Sequence, residues 1–196
     1  MKKKLTKKFW IILICIFCVF ITLVAVGYHA FSNRTKKVVE KEEKGGKVTL
    51  NYSTNVNGLS IVGATKIADD VAMKDMTAGK YFDFSIDVDI SKANSVEYEI
   101  FITKDVKNSN ISDDDIRICL EKEKSGTYTQ ILKPTKYTPL KKESELGSKK
   151  GSMILNSNKT SKSVTENYRL RLWLSDTSLL ETGNYSVNVF VVGKAT

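Results

Sequence analysis

Tyr81–Ile90 reads YFDFSIDVDI, and its side chains alternate without a slip. Phe82, Phe84, Ile86, Val88 and Ile90 fall on one side, and Tyr81, Asp83, Ser85, Asp87 and Asp89 on the other. A period of two puts successive side chains on opposite faces of an extended chain, so this is a strand with one dry and one wet face. The same alternation recurs outward in both directions. Val96, Tyr98, Ile100 and Ile102 alternate with Ser95, Glu97, Glu99 and Phe101, and Ile116, Ile118 and Leu120 with Arg117, Cys119 and Glu121. Tyr168, Leu170, Leu172 and Leu174 alternate with Arg169, Arg171 and Trp173, while Tyr185, Val187, Val189 and Val191 form a late strand. Weaker strands are expected at Val48–Ser53, Leu59–Thr65, Thr127–Leu132 and Ser152–Leu155. The expectation is an all-β domain, an antiparallel two-sheet sandwich of about eight strands.

Two stretches break the pattern. Ile67–Met76, IADDVAMKDM, carries apolar residues at helical spacing and predicts a short helix or a crossover. Lys133–Ser152 contains both prolines, Pro134 and Pro139, with many Lys, Ser and Gly, and predicts a long exposed loop.

The front of the chain is of another kind. Phe9–Val26, FWIILICIFCVFITLVAV, has eighteen residues with no charge, Gly or Pro. As a helix it would span roughly 27 Å, close to the ~30 Å hydrocarbon core of a bilayer. Lys2, Lys3, Lys4, Lys7 and Lys8 precede it, which predicts a cytoplasmic N-terminus and an extracellular C-terminal domain. Trp10 at one end and Tyr28, His29 and Phe31 at the other suit the two interfaces. The expected organisation is a cytoplasmic tail at 1–8, a single transmembrane signal anchor at 9–31, a charged linker at 32–47 with helical character around Val38–Lys44, and the β-domain at 48–196. The alternative is a cleaved signal peptide ending near Ala25-Val26-Gly27. Cys15 and Cys18 form a CxxC inside the apolar run, where a redox or zinc site would lack a supporting fold.

Glu181-Thr182-Gly183-Asn184-Tyr185-Ser186-Val187 resembles the acid-x-Gly-x-Tyr-x-apolar corner of immunoglobulin-like domains. The resemblance implies that Gly183 supplies an unusual φ and that the Tyr185 hydroxyl bonds back across the turn. A broader pattern over Leu59–Thr103, with Asp69-Asp70 between strands, resembles the secreted β-sandwich proteins of Gram-positive bacteria typified by TasA and camelysin. That resemblance implies a cell-surface or matrix role, as a cleaved and secreted fibre subunit. The long apolar segment departs from it.

Chemistry is scarce in the domain. The chain's one histidine, His29, lies beside the apolar run, so a Ser-His-Asp triad or a histidine zinc site would lack its histidine in 48–196. No catalytic residue, cofactor or metal site is assigned, and the chain reads as non-catalytic, with a metal-dependent hydrolase the least favoured alternative. The Asp113-Asp114-Asp115 turn is the best place for calcium, but without EF-hand spacing. Cys119 is expected on the wet face beside Arg117 and Glu121. The 31 Lys+Arg exceed 22 Asp+Glu by nine. Without the five N-terminal lysines the excess is four, which gives no support to nucleic-acid binding. Asn33, Asn51, Asn110, Asn158 and Asn184 each open an N-x-S/T sequon. Trp173, Arg169 and Arg171 are the candidate partner-binding residues, an outward Trp between guanidiniums suited to a protein or carbohydrate, and the alternative is that a loop or the Pro-containing segment covers that face of the strand. Gly183 and Tyr185 are the candidate structural corner. The sequence thus predicts a membrane-anchored extracellular module for cell-surface binding or assembly, contacting the bilayer through 9–31 and open to self-association along strand edges.

Overall fold

The computed structural model describes residues 40–43, 46–52, 57–77, 80–91 and 93–196. The apolar segment Phe9–Val26 and its lysines lie outside the described residues. Among the described residues no helix is long and apolar enough to cross a membrane.

The alternating stretches are strands. The order is β1 (Glu40–Glu43), β2 (Gly46–Tyr52), β3 (Gly58–Ile67), α1 (Asp69–Ala72), β4 (Tyr81–Asp89), β5 (Val96–Lys104), a 3₁₀ turn (Val106–Asn108), β6 (Ile116–Lys124), β7 (Thr127–Thr135), β8 (Met153–Thr160), β9 (Val164–Ser175) and β10 (Thr182–Ala195). Strands β1-β2-β4-β9-β6-β7 form one antiparallel block, and β3-β10-β5-β8 another. A short parallel pairing, Lys66 with Leu174 and Ile67 with Ser175, joins them. The fold is therefore all-β with a mixed sheet. It differs from the expectation in having ten described strands and one parallel junction. Glu40–Glu43 and Gly46–Lys47 are strand, so part of the expected linker at 32–47 belongs to the sheet. Backbone pairing with β2 and β4 overrides the charged composition there.

The predicted dry faces meet in one buried cluster. From the six-stranded block come Leu50, Phe84, Ile86, Ile118, Leu120 and Leu170, and from the other Ile61, Ile100, Ile102, Val187 and Val189. Tyr52, Phe82, Phe84 and Tyr168 run along it with successive ring centroids 5.9, 5.7 and 5.5 Å apart. Offset aromatic rings at such spacing add to the hydrophobic burial.

Local chemistry sets the ends. Ser125 (φ 52°) and Gly126 (φ 80°) are the two central residues between Lys124 and Thr127, the geometry of a type I′ hairpin joining β6 to β7. Pro134 sits on β7, which among the described residues pairs with β6 alone, and an edge strand tolerates a missing N–H. The rest of the proline-bearing stretch is loop, but Tyr137 is buried within it and donates to the Gly151 carbonyl at 2.7 Å.

Candidate functional site

The outer face of β9 was expected to present Trp173, Arg169 and Arg171 to a partner. The structure covers it. Trp173 is 4% exposed and packs with Cys119 and Ala72, flanked by Ile67 and Met73. Its indole Nε1 donates to Asp69 Oδ1 at 3.0 Å. Arg171 is buried and donates to Glu121 Oε2 at 2.8 Å, to the Asp75 carbonyl at 2.7 Å and to the Ala72 carbonyl at 3.4 Å. The segment 68–76, with α1 in it, is therefore a strap tied over β6 and β9. Cys119 is fully buried beneath it, not on a wet face, and burial first, then the Glu121 charge, pushes its thiol up to about 12. Such a thiol is inert.

Arg169 is held too. It makes a paired contact with Asp83, Nε to Oδ1 at 2.7 Å and Nη2 to Oδ2 at 2.8 Å. Its guanidinium lies 4.3 Å from the Tyr81 ring centre and 4.2 Å from that of Tyr128. The hydrogen bonds to Asp83 raise its pKa further, so it stays charged. This stack clamps β7 to β4 and β9. Phe101, also expected outward, is buried and stacks on Phe190 at 5.4 Å.

The corner residues behave differently from their motif. Tyr185 is buried, but its hydroxyl donates to the Asp113 carboxylate at 2.8 Å, not to a backbone group. Lys104 Nζ lies 2.6 Å from the same oxygen and 4.8 Å from the Tyr185 ring centre. Gly183 is not among the positive-φ glycines. Its small size is what matters, because a Cβ there would fall 2.4 Å from Ile111 Cγ1. The aspartate turn is spent in this way. Asp113 holds Lys104 and Tyr185, and Asp114 holds Lys136 at 2.6 Å. Among the described residues no group of three His, Cys, Asp or Glu is placed to hold a metal ion.

A second polar knot bridges the two blocks inside the core. Glu166 accepts from Tyr168 at 2.5 Å, from Tyr98 and from Lys122 at 2.7 Å, and the two hydroxyls lie 3.0 Å apart. Burial opposes ionisation of Glu166, but these donors together win and lower its pKa. Burial and the Glu166 hydrogen bond push the Tyr98 phenol up to about 12 and raise Tyr168 as well.

One place differs from these. An open cleft of about 280 Å³ is lined by Ser60, Val62, Lys107, Asn108, Ser109, Asn110 and Asn184. Asn184 sits on β10, Ser60 and Val62 on β3, and the others on the turn after β5. Asn184 Oδ1 accepts from the Gly63 N–H at 2.7 Å, and Asn110 Oδ1 accepts from the Asn184 N–H at 2.7 Å. A backbone N–H can bond only the amide oxygen, so both amides are fixed with their NH2 groups unpartnered among the described residues. Lys107 Nζ forms no salt bridge among the described residues, although its charge helps to lower the Asp105 pKa after the larger effect of the Asn108 hydrogen bond. The sequence reading missed this group. Asn110 and Asn184 stood out only as sequons, and 74 residues separate them along the chain.

Comparison with known proteins names no family. No family model matches the chain, and no curated protein matches it. Among solved structures, the PA14 domain of the antifreeze protein MpAFP is 10% identical at a TM-score of 0.24. The match covers 72% of this chain and 65% of that one, so the chain spans about two thirds of its length. AvmM, which catalyses macrocyclisation in alchivemycin A biosynthesis, is 12% identical at a TM-score of 0.26, with 77% of this chain and 80% of that one covered. Likenesses this weak carry no argument about function. Neither supports the resemblance to the TasA and camelysin proteins.

Proposed function

We propose that the chain is a non-catalytic binding module displayed outside the cell, an immunoglobulin-like β-sandwich held at the membrane by its N-terminal apolar segment. Two antiparallel blocks sharing one buried core support the sandwich reading, and the Gly-x-Tyr spacing at the start of β10 is what suggests the immunoglobulin-like one. The five lysines before Phe9–Val26 support the topology. The observation that carries the binding reading is a contrast. The domain's buried and half-buried charges have partners inside the fold, Arg171 with Glu121, Arg169 with Asp83, Lys122 with Glu166, Lys104 with Asp113, and Glu99 with the Ser144 and Ser148 hydroxyls. The donors in the cleft have none among the described residues. Groups locked into pairs hold a scaffold rigid, and unspent convergent polar groups in a concavity are what a ligand meets.

The test is protease shaving of intact cells carrying a C-terminal epitope. The epitope should be lost from intact cells while a cytosolic marker survives. Protection until lysis overturns display. Intact mass of the mature chain then separates an uncleaved anchor from a secreted subunit.

A further inference from the structure

The cleft between β3, β10 and the turn after β5 has a lopsided chemistry. Its unspent groups are mainly donors, the NH2 groups of Asn110 and Asn184 and the ammonium of Lys107. No carboxylate lines it. The nearby Asp105 is engaged by the Asn108 amide at 2.7 Å and the Lys107 N–H at 3.1 Å. Ser109 is spent as well, donating to the Asp105 carbonyl at 2.7 Å and accepting from the Ser186 N–H at 3.0 Å. The fixed amide donors outweigh the acceptors beside them, the Ser60 hydroxyl and the Asn108 Oδ1, so the cleft favours a ligand rich in acceptor oxygens with a few hydroxyls to donate, and a lone ammonium favours one carrying negative charge. Val62 adds an apolar wall and is 78% exposed. An aliphatic ring face would cover it.

From these groups we infer that the cleft takes a carboxylated sugar ring, a uronic acid unit of an acidic polysaccharide. The ring hydroxyls and ring oxygen accept from the Asn110 and Asn184 amides. The carboxylate faces Lys107, and the C–H face of the ring lies on Val62. The volume, just under the ~300–1,000 Å³ usual for small-molecule sites, admits one ring. The amides are preorganised, because each oxygen is already fixed by a backbone N–H, so little rotamer freedom is lost on binding. This inference rests on the reading of the domain as a binding module and names its ligand.

Saturation-transfer NMR of the full chain in non-ionic detergent tests it, with trigalacturonate as the probe and a neutral galactose trimer and glutarate as controls. Transfer should reach trigalacturonate and neither control. Asn184→Asp keeps the oxygen that holds Gly63 but turns the donor into an anion, and Lys107→Gln removes the charge at an exposed position. Each should weaken binding at least tenfold, with unchanged melting. Absent transfer to trigalacturonate, equal transfer to the neutral trimer or to glutarate, or binding unmoved by both variants overturns the assignment. A domain displayed outside the cell that ignores trigalacturonate sinks this inference alone. A cytosolic domain that binds it sinks the display reading alone.

Discussion

Single side chains at turns and corners make the sharpest expectations. Ser125 holds φ 52° in a two-residue hairpin, a conformation that costs Ser more than Asn or Gly. Ser125→Asn should raise stability by about 0.5–1 kcal/mol in urea titration. Gly183 works by size, so Gly183→Ala should cost about 1–3 kcal/mol as Ile111 is forced aside. Tyr185→Phe should cost about 1–3 kcal/mol, since it removes a buried donor from Asp113. These residues also show how far sequence could reach. The Gly-x-Tyr spacing picked out two residues that the fold buries in β10, but Gly183 has no positive φ and the Tyr185 hydroxyl bonds a carboxylate and not the backbone. Ile111 and Asp113 lie some seventy residues earlier, and no local pattern points to them.

At the level of elements, the strap over β6 and β9 hangs on Arg171 and Trp173. Arg171→Met leaves Glu121 charged, buried and alone, and should cost about 3–5 kcal/mol. Adding Glu121→Leu should recover part of that, the remainder being the Ala72 and Asp75 carbonyls. Strap opening has its own readout. Cys119 should resist thiol reagents in the native chain and label at least tenfold faster in Arg171→Met, with the site confirmed by peptide mass. The alternation of β4, β5, β6, β9 and β10 was legible because a period of two follows from backbone geometry alone. It states which side chains share a face, and the inner faces were read correctly. It does not state what lies on the other face. It put Cys119 on a wet face and left open whether a loop covers Trp173 and Arg171; the covering segment, 68–76, lies ~100 residues before Trp173 and Arg171 and could not be named from the strand itself. The donor cleft was invisible for the same reason.

Across the whole molecule, the buried phenols govern behaviour in alkali. Tyr98, Tyr168 and Tyr185 all have native pKa values above the ordinary 10.0. The unfolded chain releases these protons near pH 10 and the native state does not, so their contribution is complete below pH 10 and falls as pH rises. The decline is of order 1.4 kcal/mol per pH unit for each such tyrosine. Melting temperature should drop steeply between pH 10 and 12 and less steeply in Tyr98→Phe. Assembly order carries a further consequence. Strand β10 lies between β3 and β5, so the last described strand completes the four-stranded block. A chain emerging N-terminus first keeps the facing backbone edges of β3 and β5 without their shared neighbour until β10 appears. Closure of this block therefore waits for Thr182–Ala195, and a chain cut short upstream of Thr182 would hold an open, protease-sensitive half-structure.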